Sequence, residues 1–259
     1  MFSHNTCIIV IPIYKEFEQL ELTELASIKR AIQVFNKRNI CFVGPQRLNV
    51  SPYLEFASIF SINILAKKLA DDFFKNIDGY NQLLLSHIFY DTFSDFNYLL
   101  IYQPDCWVFK DELDMWCHKN YDFIGAPWIN DDNLYKVINN NKKQLFELVI
   151  YLQKNLGLKK DWRVGNGGFS LHKISSSKRA LKIFKKQLVN FRANEDMFWG
   201  IYVPLVLPFF KVPDVDEAMK FAFEMNPEQF YELNKRKLPF GCHAWHKYNF
   251  NFWKQWIHL

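Results

Sequence analysis

The sequence lacks both a long hydrophobic run and a secretory leader. None of its 259 positions lies in a stretch of about 18 uncharged apolar residues, the length that a membrane-spanning helix needs. The first residues, Met-Phe-Ser-His-Asn-Thr, have neither the basic nor the apolar region of a signal peptide. We therefore expect a cytoplasmic protein without a membrane-spanning helix.

Cysteine is present but is not arranged for cross-linking or for zinc. The five cysteines are an odd number and include no C-x-x-C pair, whereas disulfide frameworks use even numbers and zinc sites use closely spaced pairs. We predict buried, reduced thiols. The residues are Cys7, Cys41, Cys106, Cys117 and Cys242.

Acidic residues are missing from positions 172–192, which are rich in lysine and arginine, although the formal charge of the chain is only +5. Such a stretch can meet anionic lipid or an acidic acceptor. A solvated helix face is the favoured interpretation, because Leu181, Ile183, Phe184 and Leu188 can then face the core. No nucleic-acid-binding motif accompanies the charge, so we expect no nucleic-acid partner.

Buried strands and helical periods alternate along the chain. Positions 6–13 and 39–43 are apolar runs typical of strands buried on both faces, and positions 18–35 between them have a helical period. This βαβ opening predicts one α/β domain over positions 1–259, with a mainly parallel sheet and ligands at the carboxyl ends of its strands. Further predicted elements are strands at 97–102 and 122–126, helices at 63–74, 79–92, 175–191, 214–223 and 227–235, and a polar, partly helical insertion at 130–160.

An acidic residue follows the strand predicted at 97–102. Asp105 stands in Tyr-Gln-Pro-Asp-Cys-Trp, just beyond the apolar run. A lone carboxylate in that place stays ionised only beside a cation, a metal ion or water. We interpret it as a ligand-binding residue, with a turn-capping Asp as the alternative.

A glycine-rich segment, Gly-Asn-Gly-Gly-Phe-Ser, covers positions 165–170. Glycine permits close backbone approach and positive φ, which suits the presentation of amides to a ligand. The spacing is not that of a P-loop or a dinucleotide-binding fingerprint. A tight turn between two strands is an equal alternative.

Two adjacent acids, Glu195 and Asp196, stand at what reads as a helix N-terminus. One of them can serve as a general base, and an apolar wall formed by Phe198 and Trp199 would raise its pKa. Helix capping by these carboxylates is an equal alternative.

A histidine pair, His243 and His246, lies among aromatic residues near the C-terminus. Either side chain can bind a metal ion. A structural hydrogen bond is the commoner role of a single histidine, so this pattern gains weight only in combination with Asp105.

In this order, the strand-end Asp, the glycine segment, the Glu-Asp pair and the C-terminal His resemble GT-A-fold glycosyltransferases, which carry a DxD motif, a glycine loop, an xED motif and a metal-binding histidine. More closely, the motifs Gln-Pro-Asp, Gly-Asn-Gly-Gly-Phe-Ser-Leu, Asn-Glu-Asp and Phe-Gly-Cys-His-Ala-Trp resemble a bacterial family of uncharacterised GT-A-like proteins found among surface-polysaccharide genes. The similarity spans most of the chain outside 130–160. It implies a GT-A-like fold with a Rossmann-like sheet.

The resemblance also implies a role for each matching residue. It implies that Asp105 binds the donor diphosphate through a divalent metal, Mn or Mg, and that His243 completes the metal site. Asp196 would be the catalytic base, assisted by Glu195. The remaining implied donor-site residues are Pro12, Tyr14, Lys15, Asn81, Gly167 and Gly168.

One position departs from the family pattern. Trp107 stands where the DxD motif has its second Asp, so one carboxylate remains for a metal. Lys15, Arg47 and Arg163 are the alternative sources of positive charge for the diphosphate.

The predicted function is the transfer of a sugar from a nucleotide-sugar donor to a hydroxyl of a glycan or lipid-linked acceptor in surface-polysaccharide synthesis. A carboxylate base predicts inversion at the anomeric carbon, and Trp128, Trp162 and Trp199 are candidates for stacking on sugar rings. The rival is a non-catalytic nucleotide-sugar- or carbohydrate-binding protein. A hydrolase is disfavoured, because the adjacent Glu195 and Asp196 project differently from a helix.

The C-terminal tail, positions 246–259, is basic and aromatic. That composition suits a peripheral contact with the inner face of the cytoplasmic membrane, where lipid-linked acceptors lie. Packing in the core or a dimer contact is an equal alternative.

Overall fold

A computed structural model describes residues 6–129, 143–157 and 163–258. Within them the strands form a six-stranded sheet and a separate three-stranded sheet. The strands are β1 (Cys7–Pro12), β2 (Asn39–Pro45), β3 (Leu65–Leu69), β4 (Tyr98–Tyr102), β5 (Trp107–Val108), β6 (Phe123–Pro127), β7 (Val164–Lys173), β8 (Ala222–Phe223) and β9 (Gly241–Cys242).

The large sheet has the order β3-β2-β1-β4-β7-β6. Its first four strands are parallel, whereas β7 runs antiparallel to β4 and β6. Both β1 and β4 are buried along their whole length, as their uninterrupted apolar sequences predict for strands covered on both faces. The predicted α/β fold with a mainly parallel sheet is confirmed.

Helices cover both faces of this sheet. On one face Ile9 and Ile11 of β1 pack with Ile28 and Ile32 of the first long helix, and on the other face neighbouring β1 residues pack with later helices. The α-helices are α1 (Leu22–Val34), α2 (Ser51–Ser58), α3 (Ile77–Leu84), α4 (His87–Thr92), α5 (Leu113–His118), α6 (Lys143–Asn155), α7 (Ile174–Ile183), α8 (Lys185–Leu188), α9 (Glu195–Met197), α10 (Val203–Val206), α11 (Val215–Phe221), α12 (Pro227–Leu233) and α13 (Phe250–Trp253).

The prediction of a helix at 63–74 is wrong. Leu65–Leu69 is instead an edge strand that pairs in parallel with β2, and only Asp71–Phe74 forms a short 3₁₀-helix. Lys67 and Lys68 are exposed on this strand, which suits an edge that must not pair with another chain. The helix predicted at 79–92 is divided in two, because the Ser86 hydroxyl accepts a hydrogen bond from the Phe89 amide and begins a new helix.

The C-terminal tail packs into a hydrophobic cluster around the small sheet. Phe252, Trp253 and Ile257 are buried there beside Trp107 and Phe223. Of the alternatives for the tail, packing in the core is the one that applies to these three side chains. All five cysteines are buried and free, as predicted.

No helix in the described part of the chain combines the length and the apolar character needed to cross a bilayer.

Candidate active site

The small sheet brings three charged residues to one of its ends. β9 lies in the middle of this sheet, antiparallel to β5 and parallel to β8. Asp105 precedes β5, whereas Glu224 follows β8 and His243 follows β9. Since the start of an antiparallel strand lies beside the end of its neighbour, the three side chains meet at the carboxyl end of β9.

These residues form a line of alternating charge with Lys247, which we call the charge row (Glu224, His243, Asp105, Lys247). The Glu224 Oε1 atom lies 2.9 Å from His243 Nδ1. His243 Nε2 lies 3.1 Å from Asp105 Oδ1, and Lys247 Nζ donates to Asp105 Oδ2 over 2.8 Å.

Charge pairing outweighs burial in the charge row. Burial alone would lower the pKa of His243, but the hydrogen bonds and charges of Asp105 and Glu224 raise it to about 10. Burial alone would raise the pKa of Asp105, but His243 and Lys247 hold it well below its ordinary value. The imidazolium and the carboxylate are therefore both ionised at neutral pH.

The glycine-rich segment belongs to strand β7 and is neither a loop nor a turn. Among the described residues, the glycine with a positive φ is Gly157, which lies outside this segment. Close approach is what these glycines provide: a Cβ atom on Gly167 would lie 2.1 Å from Glu195 Oε1, and one on Gly168 would lie 2.3 Å from His243 Nε2. The backbone of β7 thus lies directly against the acid pair at Gly167 and against the charge row at Gly168.

The acid pair, Glu195 and Asp196, begins a helical segment at 195–206. Phe198 and Trp199 are fully buried in the core behind the acid pair, and positions 198–202 take π-helical geometry, which is frequent at functional sites. Burial raises the pKa of Glu195 to about 7. Burial and then the charge of Glu195 raise the pKa of Asp196 well above its ordinary value.

All the residues predicted to bind donor or to catalyse line one cavity of about 560 Å³. Sequence reasoning missed Tyr80, Gln103 and Lys247, which line the same cavity, and Glu224, which supports His243 from behind. The predicted residues that line this cavity are Pro12, Tyr14, Lys15, Asn81, Asp105, Gly167, Gly168, Glu195, Asp196 and His243.

The aromatic residues proposed to stack on sugars are in other places. Trp199 is fully buried against Tyr90 and Phe210, and Trp128 packs with Ile201 in a separate cluster. These two predictions are wrong, because both rings complete the core. Trp162 lies outside the described residues. Tyr14 lines the cavity and is half exposed.

The cations proposed to replace a metal are also corrected in part. Lys15 lines the cavity, but both oxygens of Glu24 already contact its ammonium, at 2.8 and 2.9 Å. The Arg163 guanidinium donates to the Ile129 carbonyl at another place, and the backbone amide of Arg47 donates to Asp71 at the far edge of the sheet. Lys247 and Lys75 are the further cations along the cavity wall in the described chain.

The side chains of the charge row do not converge on a divalent cation. Asp105 and Glu224 contact opposite nitrogens of one imidazole ring, so their oxygens point to different places, whereas a cation needs several ligands directed at one point. Trp107 is buried and packs edge-on against Trp245. In the part of the chain that is described, no three His, Cys, Asp or Glu side chains group to hold a metal.

The fold and the cavity at the carboxyl ends of the strands define a GT-A-like α/β protein. Core-mannan synthase A from Aspergillus fumigatus, solved in an Mn/GDP form, is similar in structure, with a TM-score of 0.52 and 12% sequence identity over 80% of this chain and 72% of that chain. At this identity the likeness shows the fold alone.

Two further glycosyltransferase structures are similar at a lower level. The enzyme involved in glycosylation of the major capsid of PBCV-1 has a TM-score of 0.47 and 9% identity, covering 92% of both chains. The bifunctional WbbM glycosyltransferase, in its apo form, has a TM-score of 0.48 and 11% identity over 92% of this chain and 45% of that chain.

The chain belongs to the family described as "Protein of unknown function (DUF5672)", which matches residues 63–243. No curated protein sequence matches the chain.

Proposed function

We propose that this protein transfers a sugar from a nucleotide-sugar donor to a hydroxyl group of a glycan or lipid-linked acceptor. One observation carries the proposal: two carboxyl groups with raised pKa values line the same cavity as three members of the charge row, Asp105, His243 and Lys247. A group that removes a proton and a place for an anionic leaving group are the two requirements of this reaction.

Asp196 is the base in this proposal. It takes the proton of the acceptor hydroxyl, the hydroxyl oxygen attacks the anomeric carbon, and the bond from that carbon to the diphosphate oxygen breaks. A base near neutrality suits this task, and burial together with the charge of Glu195 moves the pKa of Asp196 in that direction. A single displacement of this kind inverts the anomeric carbon.

The remaining wall of the cavity provides the donor contacts. Pro12, Tyr14 and Lys15, at the end of β1, flank the nucleotide in this proposal. Asn81 lies across the cavity, where its amide donates to the side chain of Asn194 at 3.3 Å. This amide pair next to Glu195 gives a polar surface for the hydroxyl groups of the donor sugar.

The test is a panel of nucleotide sugars, each incubated with free glycan and with lipid-linked glycan acceptors, with and without Mn²⁺. We expect one donor class to release nucleoside diphosphate, and NMR of the product to show an inverted anomeric configuration. Retention would contradict the assigned base. Tight donor binding without transfer or hydrolysis would favour a non-catalytic nucleotide-sugar-binding protein.

A further inference from the structure

We infer that Lys247 supplies, in place of a divalent metal, the positive charge that binds the diphosphate of the donor. The inference rests on the proposed function and names the ligand class of this part of the cavity as a nucleoside diphosphate.

One end of the charge row, Glu224, is buried, and the other end, Lys247, is an exposed cation at the cavity. The side chains of Glu224, His243 and Asp105 are 10%, 13% and 14% exposed, whereas that of Lys247 is 58% exposed. An ammonium group has three N–H donors, and the contact with Asp105 uses one of them. The exposed end of the row is therefore a positively charged donor group.

The Lys247 ammonium contacts one carboxylate oxygen, whereas the Lys15 ammonium contacts two. Glu24 places both of its oxygens on Lys15, so that pair is close to neutral. Asp105 instead divides its oxygens between Lys247 and His243. The Lys247 ammonium therefore keeps two N–H donors for a further anion, whereas the Lys15 ammonium contacts both oxygens of Glu24.

Asp105 cannot contact a phosphate itself, because two anions repel. Its place at the end of a short turn after β4 instead fixes the ammonium of Lys247, and Glu224 fixes His243 from the opposite side. A metal ion at Asp105 would lie beside the Lys247 ammonium and the His243 ring, which already contact the two carboxylate oxygens. The same acid that would hold a metal in a DxD motif here holds a lysine.

The experiment is calorimetric titration of the full chain with UDP, GDP, CDP and TDP, each in EDTA and in Mn²⁺, together with the corresponding nucleosides. We expect one nucleoside diphosphate to bind with the same affinity in both media. Lys247→Met should weaken its binding about tenfold or more and leave nucleoside binding unchanged, whereas Lys247→Arg should keep most of the affinity. Lys254→Met, an exposed lysine of the same tail, is the matched control and should bind like the wild type.

The outcomes separate this inference from the proposed function. Binding that disappears in EDTA and returns with Mn²⁺ would overturn the role of Lys247 and leave a donor-binding transferase in place. Wild-type affinity in Lys247→Met would overturn it as well. Failure of all four nucleotides to bind in either medium would remove the proposed function and this inference with it.

Discussion

Glu195 and Asp196 are neighbours in sequence that occupy one small volume behind the backbone of Gly167. A Cβ atom on Gly167 would lie 2.1 Å from Glu195 Oε1 and 3.4 Å from Asp196 Cβ. Glu195 is buried and Asp196 is half-buried, and the charge of Glu195 raises the pKa of Asp196, so the two carboxyl groups do not lose their protons independently. The titration of one acid therefore depends on the charge of the other.

Replacing Glu195 by Gln should move the acidic limb of the pH–rate profile to lower pH. A base acts when deprotonated, so the wild-type rate rises with pH as the pair loses its protons. After burial, the charge of Glu195 is the next largest cause that raises the pKa of Asp196, and Gln removes this charge while keeping the shape. The profile of kcat from about pH 5 to about pH 9 measures the shift. A limb that stays in place or moves upward would show that the two groups are not coupled.

Changing the two adjacent glycines of β7, Gly167 and Gly168, to Ala should impair different steps of the reaction. In Gly167→Ala the new methyl group meets the carboxylate of Glu195, and in Gly168→Ala it meets the ring of His243. We expect the first change to reduce kcat and the second to weaken donor binding, each by about tenfold or more. Each variant is the control for the other, and equal effects of both on kcat and on donor affinity would contradict this division.

The sequence is informative about these glycines, but for a different physical reason from the expected one. Three glycines in four positions predict a close contact correctly, since no side chain other than hydrogen fits beside Glu195 or His243. The same three glycines also favour a turn, and that prediction is wrong. The segment belongs to β7, which pairs with β4 on one side and with β6 on the other. Strand pairing between distant segments overrides local preference.

At the scale of elements, three two-residue strands set the geometry of the charge row. Strands β5, β8 and β9 carry no periodic pattern, and the residues that they align are far apart in the sequence. Asp105 and His243 could be recognised because they stand in sequence motifs. Glu224 stands in no motif and could not be recognised. Its role depends on a parallel pairing that only the folded chain shows.

Restoring the DxD sequence with Trp107→Asp should destabilise the protein and should not create a metal site. The Trp107 ring lies in the aromatic cluster, with its centroid 5.8 Å from that of Trp245, so the change leaves a cavity and buries a carboxylate. The Arg30 guanidinium above this ring already donates to the Val108 and Phe109 carbonyls. We expect the free energy of unfolding in urea to fall by about 3 kcal/mol or more. Trp256→Asp, at a partly exposed tryptophan of the tail, is the control and should cost less. A stable Trp107→Asp protein that gains Mn²⁺ binding would contradict this placement.

At the scale of the whole molecule, the C-terminal tail closes the structure over the small sheet and also delivers Lys247. Trp253 stacks on Phe109 with ring centroids 5.9 Å apart. The composition of the tail alone could not separate a membrane surface from core packing, because aromatic and basic residues suit both. The resemblance carried by the four motifs predicted the fold. Their residues line one cavity although they come from a turn after β4, the middle of β7, the start of a helix and the end of β9.

The packing of the tail predicts an unequal response to two tryptophan substitutions. Trp253→Ala should lower the free energy of unfolding by about 3–5 kcal/mol, because it leaves a large cavity beside Phe109 and Phe223. Trp256→Ala, where the ring is 37% exposed, should cost much less. Urea denaturation of both variants checks the difference, and equal stability would indicate that the tail is not part of the core.

The central claim is that Asp196 takes the proton of an acceptor hydroxyl beside a donor bound in the cavity, and Asp196→Asn tests it most directly. With the donor that the wild type uses, kcat should fall by about 10²- to 10⁴-fold, while the donor affinity measured by titration stays close to that of the wild type. Asp91→Asn, an exposed acid paired with Lys178, is the matched control and should keep full activity. Full activity in Asp196→Asn would contradict the assignment of the base and, with it, the proposed chemistry of this site.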